Sequence, residues 1–415
     1  MNIQRTEIDI NLCEKYKPQI EKSNSIDWNI LKSKIQSSSR PMILVGGGMQ
    51  DFNSIELLNQ VLCKYNIPFV CSLMGKGAID ESNTNFVGMI GSYGNRCANM
   101  AIHHCDLLIA LGTRLDTRQT GAQIESFIKN GSIIHVDIDE DELNYHRLEN
   151  RIRINASVDD FLKPLLKQDI TIATNENWIN FIFKLKEDYN QQKEVERFVE
   201  NKTPYTFMKL INECVSNNSI FTVDIGQNQM WAAQTLTILK DQMFLTSGGH
   251  APMGYALQAA IGASMGQPDK KIVVICGDGG FHIATQALML ISQYNLPITV
   301  FVFNNHALGM ITQFQELYFE KRMAGTDASG GYLVPDIEKM ASSYSIPYNQ
   351  LTKKDIENSA LMTQILSHQN SVVEIRIEGS TKVSPKLEYN RPINEPSPYI
   401  SEEEHSDLIV KYLKK

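Results

Sequence analysis

Lys271-Ile272-Val273-Val274-Ile275-Cys276-Gly277-Asp278-Gly279-Gly280 is the stretch that decides the fold. A continuous apolar run ending in glycines reads as a buried strand followed by a tight turn that presents one carboxylate. A helix of about three turns over 281–293 then carries the chain back. The next apolar run, Leu296–Phe303, ends in two carboxamides, Asn304-Asn305. A parallel crossover returns the chain to the same edge of the sheet, so Asp278 and Asn305 both lie beyond strand C-termini. Open α/β sheets bind ligands at that edge. One carboxylate, one amide oxygen and nearby backbone carbonyls are hard oxygen ligands suited to Mg²⁺, which completes its octahedron with phosphate oxygens and water. Gly279 and Gly280 leave room for backbone N–H groups to approach those phosphates. A Gly-Asp-Gly-Gly string alone is ordinary turn chemistry. The matching amides one crossover later are what turn chemistry does not explain.

The same alternation extends outward. Ile220–Val223, Phe244–Ser247 and Val372–Ile377 read as further strands, with helical segments at about 205–216, 253–265 and 336–344. Upstream, Met42–Val45, Pro68–Val70, Leu107–Leu111 and Ile133–Asp137 form a second set of short apolar runs separated by helix-like or loop segments. Strands alternating with helices predict two doubly wound α/β domains, each with a parallel sheet covered on both faces. The expected boundaries are a linker with one short helix near 27–35 over 1–40, a first domain over 41–166, and a charge-rich helical connector over 167–204. A second domain over 205–395 and a C-terminal helix or tail over 396–415 complete the chain.

The chain has 415 residues, 42% of them hydrophobic and 21% charged, as in globular proteins of more than one domain. The net charge of −8 argues against nucleic acid or an anionic membrane as partner, since both select a basic face. No apolar run approaches the roughly 20 residues of a membrane span, and polar residues follow Met1. Seven cysteines without Cys-x-x-Cys spacing fit buried, reduced thiols, hence a cytoplasmic location. His103-His104-Cys105 resembles a metal cluster, but neighbouring positions on a helix face different ways, which favours a structural role.

Gly277-Asp278-Gly279, about two dozen residues and then Asn304-Asn305 resembles the signature of thiamine diphosphate (ThDP) enzymes. The resemblance implies that Asp278, Asn305 and the main-chain oxygen of Ala307 hold Mg²⁺. Asp224-Ile225-Gly226-Gln227-Asn228-Gln229-Met230-Trp231 resembles the acetolactate synthase segment that closes over the diphosphate, with Asn228 where relatives commonly have His. Gly248-Gly249-His250-Ala251-Pro252-Met253-Gly254 resembles the loop whose Met bends the cofactor. Leu308-Gly309-Met310, with Gln313-Phe314 after it, is similar to the stretch lining the thiazolium and substrate pocket; synthases often have Trp at the place of Phe314.

The first domain resembles the central domain of the same enzymes. Gly112-Thr113-Arg114-Leu115-Asp116-Thr117-Arg118 is similar to the string by which acetolactate synthases hold FAD. The resemblance implies FAD contacts from Gly112, Arg114 and Arg118, with Gly46, Gly47, Gly48, Gly91 and Ser92 passing close and Asp137 meeting the adenosine. Arg offers planar donors to a pyrophosphate, and Asp at a strand end accepts from ribose hydroxyls. Gly-Gly-Gly is not Gly-x-Gly-x-x-Gly, so that turn by itself is weak evidence for a dinucleotide.

Members of the family open with a further domain whose glutamate activates the cofactor's aminopyrimidine ring. Residues 1–5 resemble the tail of that domain, and the activating glutamate is expected from a partner subunit rather than from Glu316 or Glu320. The implied function is the decarboxylating condensation of 2-keto acids, typically pyruvate, by a homo-oligomer or with a partner subunit that supplies the missing domain. The alternatives are a non-catalytic ThDP- and FAD-binding remnant, and a carboligase acting on a keto-sugar or aldehyde acceptor.

Overall fold

A computed structural model describes residues 26–144, 147–172 and 175–413. The expected linker over 1–40 therefore falls within the description only from residue 26. There Asp27 caps a helix over Trp28–Gln36 by accepting from the Asn29 and Ile30 amides.

The first sheet contains β1 (Pro41–Val45), β2 (Phe69–Cys71), β3 (Phe86–Met89), β4 (Leu107–Leu111), β5 (Ser132–Asp137) and β6 (Arg151–Asn155). Its order is β3-β2-β1-β4-β5-β6 and every pairing is parallel. The second contains β7 (Ser219–Val223), β8 (Met243–Thr246), β9 (Lys271–Gly277), β10 (Ile298–Asn304), β11 (Tyr348–Leu351) and β12 (Ser371–Arg376). It runs β11-β12-β10-β9-β7-β8, again all parallel. The two doubly wound parallel sheets are those expected.

Three strands were not expected from the sequence: β3, β6 and β11. All three lie at sheet edges. β3, Phe-Val-Gly-Met, is short, largely buried and interrupted by glycine, whereas the edges β6 and β11 are half solvated and carry no continuous apolar run. Arg-Ile-Arg-Ile-Asn in β6 and Tyr-Asn-Gln-Leu in β11 show this directly. The central strands β1, β4, β9 and β10 each carry a long apolar run and are buried almost along their whole length.

The single helix expected over 281–293 is two pieces, Asp278–Ile283 and Ala287–Gln293. At the break the Thr285 hydroxyl donates to the carbonyls of Phe281 and His282, a back-bond that competes with the helix ladder. The helix Gln227–Thr235 was also hidden. Eight of its nine residues are buried, so it has no polar face and no amphipathic period.

The connector forms helices Glu176–Tyr189 and Gln191–Phe198. The first buries Trp178, Phe181, Ile182, Leu185 and Tyr189 in a core shared with Met42, Leu108 and Ile133 of the first sheet. The end of the chain joins this same core through Leu387, Ile393 and the helix Glu402–Tyr412, where Leu408 is buried. Leu387 N–H donates to the Ser92 carbonyl at 2.7 Å, and Arg96 donates to the carbonyls of Pro396 and Pro398 at 2.9 and 2.6 Å. The residues from 387 onward thus run back over the first domain. No described helix is long and apolar enough to cross a membrane.

Candidate functional site

The segments that follow β2, β3 and β4 and those that follow β7, β8, β9 and β10 line one cavity of about 600 Å³ between the two sheets. Strand C-termini of both domains therefore face the same space, the edge at which open α/β sheets bind ligands.

The floor is set by Asp224, just beyond β7 and fully buried. One carboxylate oxygen accepts from the Ile225 and Gly254 amides and the other from Ala256, all at 2.9 Å. Burial raises its pKa and these three N–H donors oppose that shift. Asp224 thereby ties the loop carrying Met253 to the second sheet. A Cβ on Gly280 would lie 2.6 Å from its carboxylate, so glycine is required there by packing. The sequence reading gave Asp224 no role; a lone Asp after a buried strand was the available signal.

Asp278 follows β9 directly. One oxygen accepts from the Gly279 amide at 2.7 Å and from the Tyr332 hydroxyl at 3.2 Å. The other, Oδ2, is buried and has no partner. Burial pushes the Asp278 carboxyl up to about 6, and no described Lys or Arg is paired with it. Tyr332, its own ionisation pushed up by burial and then by that carboxylate, remains a donor.

Asn304 and Asn305, alike in sequence, do different work. Asn304 ends β10 and its amide donates to Glu374 on β12 at 2.8 Å, which fixes the sheet. Asn305 lines the cavity; its Nδ2 donates to Gln227 Oε1 at 3.0 Å and its Oδ1 accepts from Ala307 N at 3.2 Å. Gln227 is held in turn, donating to Gln313 Oε1 at 3.2 Å and to the Thr381 carbonyl at 3.0 Å. That chain of amides leaves the second lone pair of Asn305 Oδ1 for another group. A Cβ on Gly309 would run into Gln227 Oε1 and crowd Asn305 Nδ2, so the amide pair needs glycine at 309.

The remaining expected ThDP positions gather here. Gly226, Gln227, Asn228, Met253, Gly277, Asp278, Gly279, Gly280, Asn305, Ala307, Gly309, Met310 and Phe314 all line the cavity. Asn228 donates to the Asp224 carbonyl at 2.7 Å. Met253 packs on Gly279, its terminal methyl 2.8 Å from where a Cβ would stand. Phe314 is 49% exposed at the rim. The fit to Mg²⁺ is chemical. A buried carboxylate oxygen without donor or cation is costly unless a cation satisfies it, and the neighbouring groups are oxygens.

The expected FAD positions divide. Ser92 and Arg118 line the same cavity, whereas Gly46, Gly47, Gly48, Gly91, Gly112, Arg114 and Asp137 do not. Gly46–Gly48 and Gly112 follow β1 and β4, the pair at which strand order reverses. The two loops meet there, with Gly48 N–H donating to the Gly112 carbonyl at 2.9 Å. Arg114 pairs with Glu142 at 2.7 Å. Asp137 accepts from the Asp139 amide, and burial raises its pKa. Of the carboxylates set aside in the sequence, Glu316 pairs with Lys382 and Glu320 is exposed; neither lines the cavity. His103 and His104 are structural in their contacts. His103 Nδ1 meets the Ser126 carbonyl at 2.5 Å, and His104 sits edge-on to Phe181.

Residues 30–165 match the family model of the thiamine pyrophosphate enzyme central domain, and residues 224–375 that of the thiamine pyrophosphate enzyme C-terminal TPP binding domain. Thiamine pyrophosphate is another name for ThDP. The probable acetolactate synthase large subunit of Methanocaldococcus jannaschii is 35% identical over 355 residues, covering 83% of this chain and 58% of that protein. The acetolactate synthase isozyme 2 large subunit of Escherichia coli K12 is 30% identical over 356 residues, covering 85% and 63%. The acetolactate synthase large subunit of Lactococcus lactis is 32% identical over 367 residues, covering 88% and 62%. The chain thus spans about three-fifths of the length of these relatives. Two family models, two parallel sheets and one shared cavity agree: the chain belongs to the thiamine pyrophosphate enzymes, of which it carries the central domain and the C-terminal cofactor-binding domain.

Proposed function

We propose that this chain holds the diphosphate end of ThDP through Mg²⁺ and serves the decarboxylating condensation of 2-keto acids, pyruvate first among them, as an acetolactate synthase-type component. Bound ThDP supplies the electron sink for that chemistry, and the protein supplies orientation and proton control. Asp278 Oδ2, Asn305 Oδ1 and the Ala307 carbonyl are the metal ligands in this reading. Gln227 keeps the Asn305 oxygen facing the metal, and Tyr332 steadies the Asp278 carboxylate. Met253 and Met310 flank the ring portion, and Phe314 borders the substrate entrance.

The observation that carries the reading is the buried, unpartnered Oδ2 of Asp278 in a cavity that Asn305 also lines. Among the described residues one glutamate lines that cavity, Glu388, and it is occupied in accepting from the Tyr399 hydroxyl at 2.7 Å. The activating glutamate therefore comes, in this proposal, from a partner subunit that supplies the missing domain. FAD is assigned to the first domain, with Ser92 and Arg118 at the shared cavity and the glycine loops after β1 and β4 beside the dinucleotide.

Calorimetry with ThDP and Mg²⁺ tests the core of this. Binding that requires Mg²⁺ and disappears in Asp278→Ala is the expected result; absence of binding at high cofactor concentration removes the proposal. Mixing the chain with candidate partner subunits and following pyruvate consumption separates an enzyme component from a non-catalytic binder.

A further inference from the structure

Among the described residues, several lysines withdrawn from solvent wholly or in part have evident partners. Lys76 Nζ is held by Glu81 at 2.7 Å and the Leu236 carbonyl at 2.8 Å. Lys186 donates to the Thr84 carbonyl at 2.6 Å, and Lys271 to the carbonyls of His368 and Gln369. Lys386 differs from these. It is 8% exposed and lines the cavity, yet among the described residues no carboxylate or carbonyl accepts from its ammonium. Its place is fixed by the backbone, which exchanges two hydrogen bonds with Ser397 at 3.0 and 2.8 Å. The ammonium rests between two aromatic faces, 5.8 Å from the ring centre of Tyr93 and 5.7 Å from that of Tyr318. Such faces steady a cation without neutralising it. Burial lowers its pKa, Glu388 opposes that and Lys382 adds to it. Arg118 lines the same part of the wall, and Glu388 is engaged by Tyr399.

The position of this cation relative to the metal site follows from one helix, Gly309–Tyr318. Met310, Phe314 and Tyr318 are spaced by four and share a face, with the Phe314 and Tyr318 rings 4.7 Å apart. All three line the cavity. At 1.5 Å per residue, Tyr318 and the lysine above it stand about 12 Å along the helix from Met310. Asn305 meets this helix at Gly309, its first residue, whereas the ammonium sits at Tyr318, its last, so the cation and the metal ligands border different turns of the helix.

We propose that Lys386, cradled by Tyr93 and Tyr318, recognises the acidic group, carboxylate or phosphate, of the acceptor substrate. The inference rests on the thiamine-dependent reading of the site and assigns it a specificity determinant.

The chain, saturated with ThDP and Mg²⁺ so that the diphosphate site is filled, is titrated with inorganic phosphate and separately with pyruvate. Calorimetry is paired with NMR of isotopically labelled lysine side chains. One anion site is expected, and its occupation raises the depressed Lys386 pKa. Lys386→Met keeps the apolar stem and should weaken the anion about tenfold or more, while Lys386→Arg should stay within about threefold. ThDP–Mg²⁺ affinity should be unchanged in both variants. Anion binding by Lys386→Met equal to that of the parent overturns the proposal. So does FAD displacing phosphate competitively with Lys386→Met weakening FAD, since the anion recognised is then the flavin's pyrophosphate. Should ThDP fail to bind at all, the phosphate titration in Asp278→Ala still reads Lys386, so the two ideas fail separately.

Discussion

Gln227→Leu isolates what the amide relay contributes to the metal site. The substitution keeps side-chain volume and removes three hydrogen bonds: Asn305 to Gln227, and Gln227 to Gln313 and to Thr381. Gln313 Oε1 keeps the Val383 amide as donor, so the groups left without their partner are Asn305 Nδ2 and the Thr381 carbonyl, both on buried residues. An orphaned buried polar group costs about 1–3 kcal/mol, and folding stability should fall by at least that much. The amide of Asn305 then has no partner that distinguishes its oxygen from its nitrogen on that side. Loss of an outer partner of a metal ligand typically lowers metal affinity by about 10–100-fold, equivalent to roughly 1.4–2.8 kcal/mol. Mg²⁺ titrated into protein with saturating ThDP, well below the melting temperature, should show its midpoint raised by that factor. A variant that melts early yet keeps its Mg²⁺ midpoint within about twofold of the parent would refute the argument. Gln227 would then be a core residue that happens to touch Asn305.

Further expectations follow from the same geometry. Gly309→Ala drives a methyl into Gln227 Oε1 and should weaken Mg²⁺ at least as much as Gln227→Leu. Because both act on one hydrogen bond, the double variant should be little worse than either single in the same titration. His103 is buried with its pKa lowered to about 4, chiefly by burial, and His104 is lowered further. A histidine whose folded pKa lies below its unfolded value gives full stability above about pH 6.5 and loses it as pH falls toward the folded pKa. His103 alone should cost about 2 kcal/mol between pH 8 and pH 5. Urea melts at the two pH values check this, and His104→Phe, which removes a buried unpartnered nitrogen, should narrow the gap. Glu404 is held down to about 2 by Arg197 and then Tyr189, so Glu404→Gln should loosen the helix Glu402–Tyr412 by about 1 kcal/mol, the Arg being half exposed. Faster hydrogen exchange confined to residues 402–412 is the expected readout.

What the sequence makes legible is whatever is buried on both sides. β1, β4, β9 and β10 declare themselves as apolar runs, and the ligands that end β9 and β10 come with them. β6 and β11 do not, because an edge is half solvated and its residues answer to solvent as much as to the core, and β3 does not because it is four residues long with a glycine inside. Asp278 and Asn305 were found because their positions follow from strand ends. The difference between Asn304 and Asn305 was not, since it depends on whether the side chain meets Glu374 or Gln227. Lys386 was missed for a similar reason. Only the return of the chain end to the first domain brings it beside Tyr93, 293 positions earlier (386 minus 93).

That return has a mechanical consequence. Because Leu387, Ile393 and Leu408 are anchored in the first domain while β12 belongs to the second, the polypeptide crosses between the sheets twice, once through the connector and once through its last forty residues or so. Two tethers on a pair of bodies suppress the hinge that one would permit. Clipping the chain after residue 385 would therefore cut a strut as well as strip a wall from the cavity, leaving the packed core between the sheets and the connector to hold them.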